Sequence, residues 1–104
     1  METEKPLFRL RISGDSMAPR WEDGDLIEFR IHPADAPLPV GKDVHVKYID
    51  GAATFKRLAS FDGDAGELVL KSANAAKYPE EIRVSLADVE RIGVALHRIV
   101  PPRS

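Results

Sequence analysis

Apolar and polar residues alternate along much of this chain, and short turns rich in aspartate and glycine interrupt the alternation. The segment 7–12 reads LFRLRI and the segment 26–31 reads LIEFRI, and from the second residue of each every other side chain is apolar. A period of two places successive side chains on opposite faces of a strand, so the pattern is typical of strands with one buried face. The sequence therefore predicts a mostly β protein.

Turn-forming residues divide the chain into seven extended segments. The turns fall at 23–25 (DGD), 50–51 (DG) and 62–66 (DGDAG), so consecutive segments are expected to form antiparallel hairpins. Three prolines make residues 32–40 an irregular connection, because proline lacks the N–H that a ladder needs. Ser85 and Asp88 have the spacing of one short capped helical turn. The predicted strands are 7–12, 26–31, 44–49, 54–59, 68–71, 82–84 and 92–100.

Length and composition favour one globular domain over residues 1–104, with about residues 1–7 as a flexible lead-in. The chain is 43% hydrophobic and 31% charged, which is ordinary for a globular protein. No apolar run approaches the roughly 18 residues of a membrane span. The chain has no cysteine, which fits a reducing cytoplasm, and no metal or other cofactor is expected. Scattered basic residues and a net charge of -2 predict DNA contact only through a further segment that is absent here.

Ser16 is the first candidate for chemistry, in the stretch ISGDSMAP that follows the first predicted strand. Glycine and aspartate before a serine also form an ordinary turn. A nucleophile elbow needs a following helix, whereas Pro19 follows here. A Ser-His-Asp triad would need one of three histidines that no local motif places and that sit as solvent-facing residues would. These are His32, His45 and His97.

A lysine base remains, and Lys56 has suitable surroundings in the segment ATFKRLAS. Arg57 follows it and points to the opposite face, so one of the two cations leaves the solvent side if the strand has a buried face. Alternation alone does not decide which one. Burial would lower the amine pKa from about 10.4 toward neutrality, and a neutral amine can accept a serine proton. The ordinary alternative is a solvated lysine.

Three stretches together resemble the Ser-Lys autopeptidase domain of LexA-type and phage repressors and of UmuD-like proteins. They read SGDSMAPRWEDGDLIEF, GAATFKRL and LVLKSANAAKY. The family's Gly-x-Ser-Met turn falls on residues 14–17, its Asp-Gly-Asp turn on 23–25 and its Thr-x-Lys-x-Leu strand on 54–58. Asn74, Tyr78 and the terminal IGVALHRIV also look like the family's closing elements. The resemblance covers nearly the whole chain from about residue 8, and the signal peptidases, which carry membrane anchors, are a distant alternative.

The resemblance implies a fold of bent antiparallel sheets of the LexA C-terminal or signal peptidase type, with a cleft beside the serine. It implies Ser16 as nucleophile, Lys56 as general base, and the backbone amides of Ser16 and Met17 as oxyanion donors. The implied activity is that of a serine endopeptidase. Its substrate is a peptide segment of the protein itself or of a related repressor, and self-cleavage is linked to derepression in transcription regulation and the SOS response.

The chain departs from the family pattern ahead of Ser16. Only fifteen residues precede that serine, and they contain neither an Ala-Gly or Cys-Gly bond nor DNA-binding helices. Three alternatives stay open: the catalytic and dimerising part of a longer repressor, a free-standing member that cuts in trans, and a non-catalytic dimerisation module. A UmuD-like accessory protein of the DNA-damage response is an alternative to the repressor role. A homodimer is expected through the free edge of the terminal strand 92–100. Arg20 and Trp21 support none of the three in particular.

Overall fold

A computed structural model describes residues 6–100, which form seven β-strands and a single 3-10 turn at Leu86–Asp88. The predicted mostly β fold is confirmed. Among these residues, no helix has the length and apolar character that crossing a bilayer requires. The strands are β1 (Leu7–Arg11), β2 (Leu26–Ile31), β3 (Asp43–Tyr48), β4 (Ala53–Asp62), β5 (Glu67–Lys71), β6 (Ile82–Ser85) and β7 (Val89–Ile99).

All strand pairs are antiparallel, and the seven strands form one sheet in the order β1-β2-β7-β3-β4-β5-β6. The terminal strand, expected to offer a free edge, lies between β2 and β3 in the sheet and keeps an uncovered edge over part of its length only. β2 pairs with β7 over 93–99, and β3 pairs with it over 89–94. Within the described residues, β7 keeps one uncovered edge before Gly93, on the side of β2, and one after Val94, on the side of β3.

Several element boundaries differ from the predicted ones. β4 runs on to Asp62 because its pairing with β5 continues past a bulge between Leu58 and Ser60. The helical turn after β6 is present, but Ser85 makes no side-chain capping hydrogen bond. Of the expected lead-in, residues 1–5 lie outside the described residues, and Leu7 already belongs to β1.

Two hydrophobic clusters cover the two faces of the central strands. In β3, Val44 and Val46 belong to the first cluster, whereas His45 between them points toward the second and packs against Phe29. The central strands are therefore covered on both faces. The first cluster consists of Val44, Val46, Leu58, Leu68, Leu70, Val84, Ile92 and Val94, and the second of Met17, Trp21, Ile27, Phe29 and Phe55.

Candidate active site

Ser16 lies in the connection between β1 and β2, whose two ends are tied together. The Ile12 N–H donates to the Asp25 carbonyl (2.8 Å), and the Gly14 N–H donates to Asp23 Oδ1 (2.7 Å). Gly14 has φ +90°, a left-handed conformation that glycine adopts without steric cost. The sequence GDS therefore folds as a tight turn that is closed by the first aspartate of the DGD motif.

Met17 anchors this turn to the body of the protein. Its side chain is 1% exposed within the second cluster, and its carbonyl accepts the Trp21 N–H at 2.9 Å. The Ala73 N–H contacts Met17 Sδ at 3.3 Å. Burial of the methionine holds its neighbour Ser16 at the boundary between core and surface.

The segment 73–78 binds the same turn from the other side. Asn74 donates its backbone N–H to the Ser16 carbonyl and its side-chain Nδ2 to the Asp15 carbonyl, each at 3.0 Å. The Asp15 carboxylate accepts from Lys77 Nζ at 2.7 Å and from Tyr78 OH at 2.6 Å. These hydrogen bonds, first that of Lys77 and then that of Tyr78, hold the pKa of Asp15 below its ordinary value of 3.8.

Lys56 reaches the Ser16 turn from β4. Its Nζ lies 3.2 Å from Ser16 Oγ, and it donates to Thr54 Oγ1 and to the Phe55 carbonyl, each at 3.3 Å. The structure thus brings together the two sequence-predicted residues, which are 40 positions apart in the chain.

Of the two adjacent cations of β4, Lys56 lines the cleft beside Ser16 and Arg57 does not. Lys56 is half-buried, and burial lowers the pKa of its amine below the ordinary value of 10.5. Arg57 is neutralised on the opposite side of the strand, where its Nε donates to Asp43 Oδ1 at 3.0 Å. The lysine is therefore the cation that the fold desolvates.

The surroundings of Nζ suit a neutral amine. An uncharged lysine has two N–H donors and one lone pair, and Nζ has two acceptors that cannot be ionised, the Thr54 hydroxyl and the Phe55 carbonyl. When both N–H groups point there, the lone pair is left for the Ser16 hydroxyl. This arrangement allows the amine to take the serine proton.

Two backbone donors of the Ser16 turn have no partner among the described residues. Within residues 6–100, the N–H groups of Ser16 and Met17 donate to no acceptor. Free N–H groups beside a nucleophile are the donors that a developing oxyanion needs.

An open cleft of about 330 Å³ surrounds the Ser16 and Lys56 side chains. A larger groove of about 660 Å³ shares none of its lining residues with this cleft. The three histidines do not line the cleft, and His45 is not solvent-facing as expected but lies half-buried between Phe8 and Phe29. The cleft is lined by Ser13, Gly14, Asp15, Ser16, Lys56, Ser72, Tyr78, Glu80 and Ile82.

The model of one protein family, described as Peptidase S24-like, matches residues 1–96. The chain belongs to this family. Membership indicates serine-peptidase chemistry in general, and it confirms the resemblance to LexA-type and UmuD-like Ser-Lys peptidases.

The chain also matches curated proteins, but each match covers only a small part of the curated protein. It is similar to anthranilate phosphoribosyltransferases of Leptothrix cholodnii, with 30% identity over 83 residues, and of Chromobacterium violaceum, with 33% identity over 86 residues. These alignments cover 76% and 79% of the chain but 24% and 25% of the two relatives. The chain thus spans about a quarter of the length of the curated relatives it matches. No solved structure matches the chain.

Sequence reasoning missed one group beside the S24-like site, the buried carboxylate of Asp43. Its Oδ2 accepts from Arg20 Nε at 2.5 Å and from Trp21 Nε1 at 2.8 Å, and its Oδ1 accepts from Arg57. One signal was available: a hairpin turning at 50–51 places position 43 opposite position 57. Its contacts with Arg20 and Trp21 depend on how a distant loop folds back, and no local pattern encodes that.

Proposed function

We propose that this chain is the catalytic domain of a Ser-Lys serine endopeptidase, with Ser16 as nucleophile and Lys56 as general base. The observation that carries the proposal is the 3.2 Å separation of Lys56 Nζ and Ser16 Oγ at a half-buried amine whose pKa is lowered. No carboxylate of residues 6–100 forms an ion pair with Lys56, so no ion pair of these residues favours the charged form of the amine.

The proposed reaction has two stages. Neutral Lys56 removes the Ser16 hydroxyl proton while Oγ bonds to a peptide carbonyl carbon, and the N–H groups of Ser16 and Met17 stabilise the resulting oxyanion. The Lys56 ammonium then protonates the departing amine, which leaves an acyl-enzyme. Water, deprotonated by the same lysine, hydrolyses that ester and regenerates the serine.

The proposed substrate is a linker peptide of the protein itself or of a related repressor. Family membership supports a repressor domain whose self-cleavage relieves repression in the cytoplasm, or a UmuD-like accessory protein of the DNA-damage response. Contact with DNA would then belong to a further segment, consistent with the net charge of -2 and the scattered basic residues.

A second proposed function is association of two copies through β7. The observation in its favour is the edge of β7 after Val94, which no strand of residues 6–100 covers. Sedimentation at tens of micromolar tests this proposal: a dimer supports it, and a mass of one protomer refutes it. Association and cleavage are compatible, so the two proposals are tested separately.

The test of the catalytic proposal uses a peptide substrate and a covalent probe. A repressor fragment with an Ala-Gly linker is offered at alkaline pH, and a fluorophosphonate is offered separately. In the probe reaction the Ser16 Oγ–P bond forms, fluoride leaves and Lys56 takes the proton. Ser16→Ala and Lys56→Ala are expected to abolish both reactions. Cleavage that survives both substitutions refutes the assignment.

Matched control variants are available elsewhere in the sheet. Ser60→Ala changes an exposed serine on the same strand as Lys56, and Lys47→Ala changes a lysine that pairs with Glu90 at 3.3 Å. Both are expected to react as the wild type does, because neither side chain lines the cleft. Loss of activity in these controls as well would point to misfolding.

A further inference from the structure

Asp43 carries a carboxylate that the proposed mechanism does not use. It is the first residue of β3, and its side chain is 4% exposed. A carboxylate this deeply buried is costly unless charged or strongly polar donors satisfy it. Its three donors are the guanidinium groups of Arg20 and Arg57 and the indole of Trp21.

These donors come from the two segments that carry the proposed catalytic pair. Arg20 and Trp21 follow Ser16 by four and five positions, within the same connection. Arg57 directly follows Lys56, and the β3–β4 register places it opposite Asp43. One carboxylate therefore bridges the loop of the nucleophile and the strand of the base.

The polar contacts on the other side of Ser16 do not provide this link. Asn74, Lys77 and Tyr78 bind the nucleophile turn to the segment after β5, not to β4. Within residues 6–100, side-chain hydrogen bonds join the connection 12–25 to β4 only at the Lys56–Ser16 contact itself and through Asp43. Apolar contact between Trp21 and Phe55, with ring centroids 6.0 Å apart, accompanies that bridge.

We propose that Asp43 is a positioning residue that holds Ser16 Oγ within reach of Lys56 Nζ by fixing the loop to β4. The inference rests on the proposed function, since positioning matters only if the two groups react together. A small displacement is sufficient to matter, because misplacement by about 1 Å can cost about a hundredfold in rate.

The test compares two carboxylate-to-amide substitutions. Asp43→Asn places an NH₂ group against donors and breaks at least one arm of the bridge. Glu28→Gln is the matched control: Glu28 is 14% exposed and contacts Arg9 at 3.0 Å and His97 at 3.3 Å, but neither partner belongs to the site. Both variants lose one partly or fully buried acceptor, so both are expected to lower the unfolding free energy.

The rate at which a fluorophosphonate phosphonylates Ser16 measures how much the substitution of Asp43 slows the reaction of the serine. In Asp43→Asn the rate at saturating probe is expected to fall about tenfold to a hundredfold, with the half-saturating concentration unchanged. The pH midpoint of the reaction should stay at the wild-type value, because Asp43 does not contact the amine. Trp21 is the single tryptophan of the chain, and its emission should change in Asp43→Asn but not in Glu28→Gln.

The results of these experiments show whether Asp43 positions Ser16 and whether Ser16 reacts at all. A saturating rate in folded Asp43→Asn equal to that of Glu28→Gln overturns the inference, as does a shifted pH midpoint with an unchanged saturating rate. If Asp43→Asn does not fold, Arg57→Gln removes only the arm to β4 and must show the same fall in rate. A wild type that the probe does not label refutes the proposed function together with the inference, whereas labelled wild type with unaffected variants refutes the inference alone.

Discussion

Lys56 and Arg57 are consecutive residues of β4, yet they meet opposite electrostatic environments. Arg57 faces the buried Asp43 carboxylate, whereas Lys56 has an acceptor hydroxyl and a carbonyl as partners and lies 3.2 Å from Ser16 Oγ. The alternation of a strand separates the two cations, so one is neutralised while the other is desolvated without a counter-ion among residues 6–100. This separation allows the neutral form of Lys56 to be populated although an arginine follows it directly in the sequence.

The first prediction concerns the pH dependence of Ser16 reactivity. Burial lowers the pKa of Lys56 below 10.5, so the neutral, proton-accepting form increases as pH rises through that lowered value. The rate of fluorophosphonate labelling is expected to rise with pH and then level, with a midpoint below 10.5. Lys56→Arg should show no such rise, because a guanidinium does not lose its proton in this range. A midpoint at the ordinary lysine value would contradict the prediction.

The second prediction concerns the carboxylate beside the nucleophile. Because Lys77 and Tyr78 hold the pKa of Asp15 below 3.8, Asp15 favours the folded state above that pH, and this contribution is lost as pH falls through the lowered pKa. Lys77→Met is expected to raise the pKa of Asp15 more than Tyr78→Phe does, since the lysine hydrogen bond is the larger cause. Carbon-detected NMR titration of the Asp15 carboxyl measures both. Equal pKa values in all three proteins would contradict the prediction.

Local features of the sequence were sufficient to predict the strands. β2 was predicted at its observed bounds, because apolar alternation and a flanking DGD turn are both encoded within a few residues. The Ser16 turn and the Lys56 strand were likewise found from short motifs. Their proximity was an expectation from the family resemblance, since 40 residues separate them and no local pattern brings them together.

Features that depend on the order of strands in the sheet were not predicted. The apolar terminal strand was expected at an edge, but β7 inserts between β2 and β3. His45 was expected to face solvent because it sits in an alternating strand. In a strand buried on both faces, alternation instead turns it toward the second cluster, beside Phe29. One-sided burial was thus the assumption that failed.

The third prediction follows from the position of His45. Burial, followed by the charges of Arg91 and Lys47, lowers its pKa from 6.5 to about 4. Between these two pKa values the unfolded chain binds a proton at His45 that the folded chain does not bind. The free energy of unfolding therefore decreases as pH falls from 6.5 toward 4. The loss is at most about 3 kcal/mol, at about 1.36 kcal/mol per pH unit.

Urea unfolding near neutral pH and near pH 4 measures this loss. His45→Phe suits the aromatic contacts with Phe8 and Phe29 and cannot titrate, so its unfolding free energy should depend less on pH in this window. His97→Gln, a substitution at an exposed histidine, should retain the wild-type dependence. An unchanged pH slope in His45→Phe would assign the acid sensitivity to other groups.

The last prediction concerns the close approach of the Phe8 ring to the backbone of β7 at Gly93. A Cβ at this position would lie 2.7 Å from Phe8 Cε1, closer still to Phe8 Cζ, and 3.3 Å from Phe29 Cβ. The Phe8 ring cannot simply move aside without loss, because it stacks on Phe29 at 5.1 Å and lies under the Arg91 guanidinium at 4.4 Å. Gly93→Ala is therefore expected to lower the unfolding free energy by about 1–3 kcal/mol in urea. In a Phe8→Ala background the same substitution should cost much less, since the clashing ring is gone. Equal costs in the two backgrounds would show that the contact with Phe29 Cβ, and not the Phe8 ring, sets the cost of a side chain at this position.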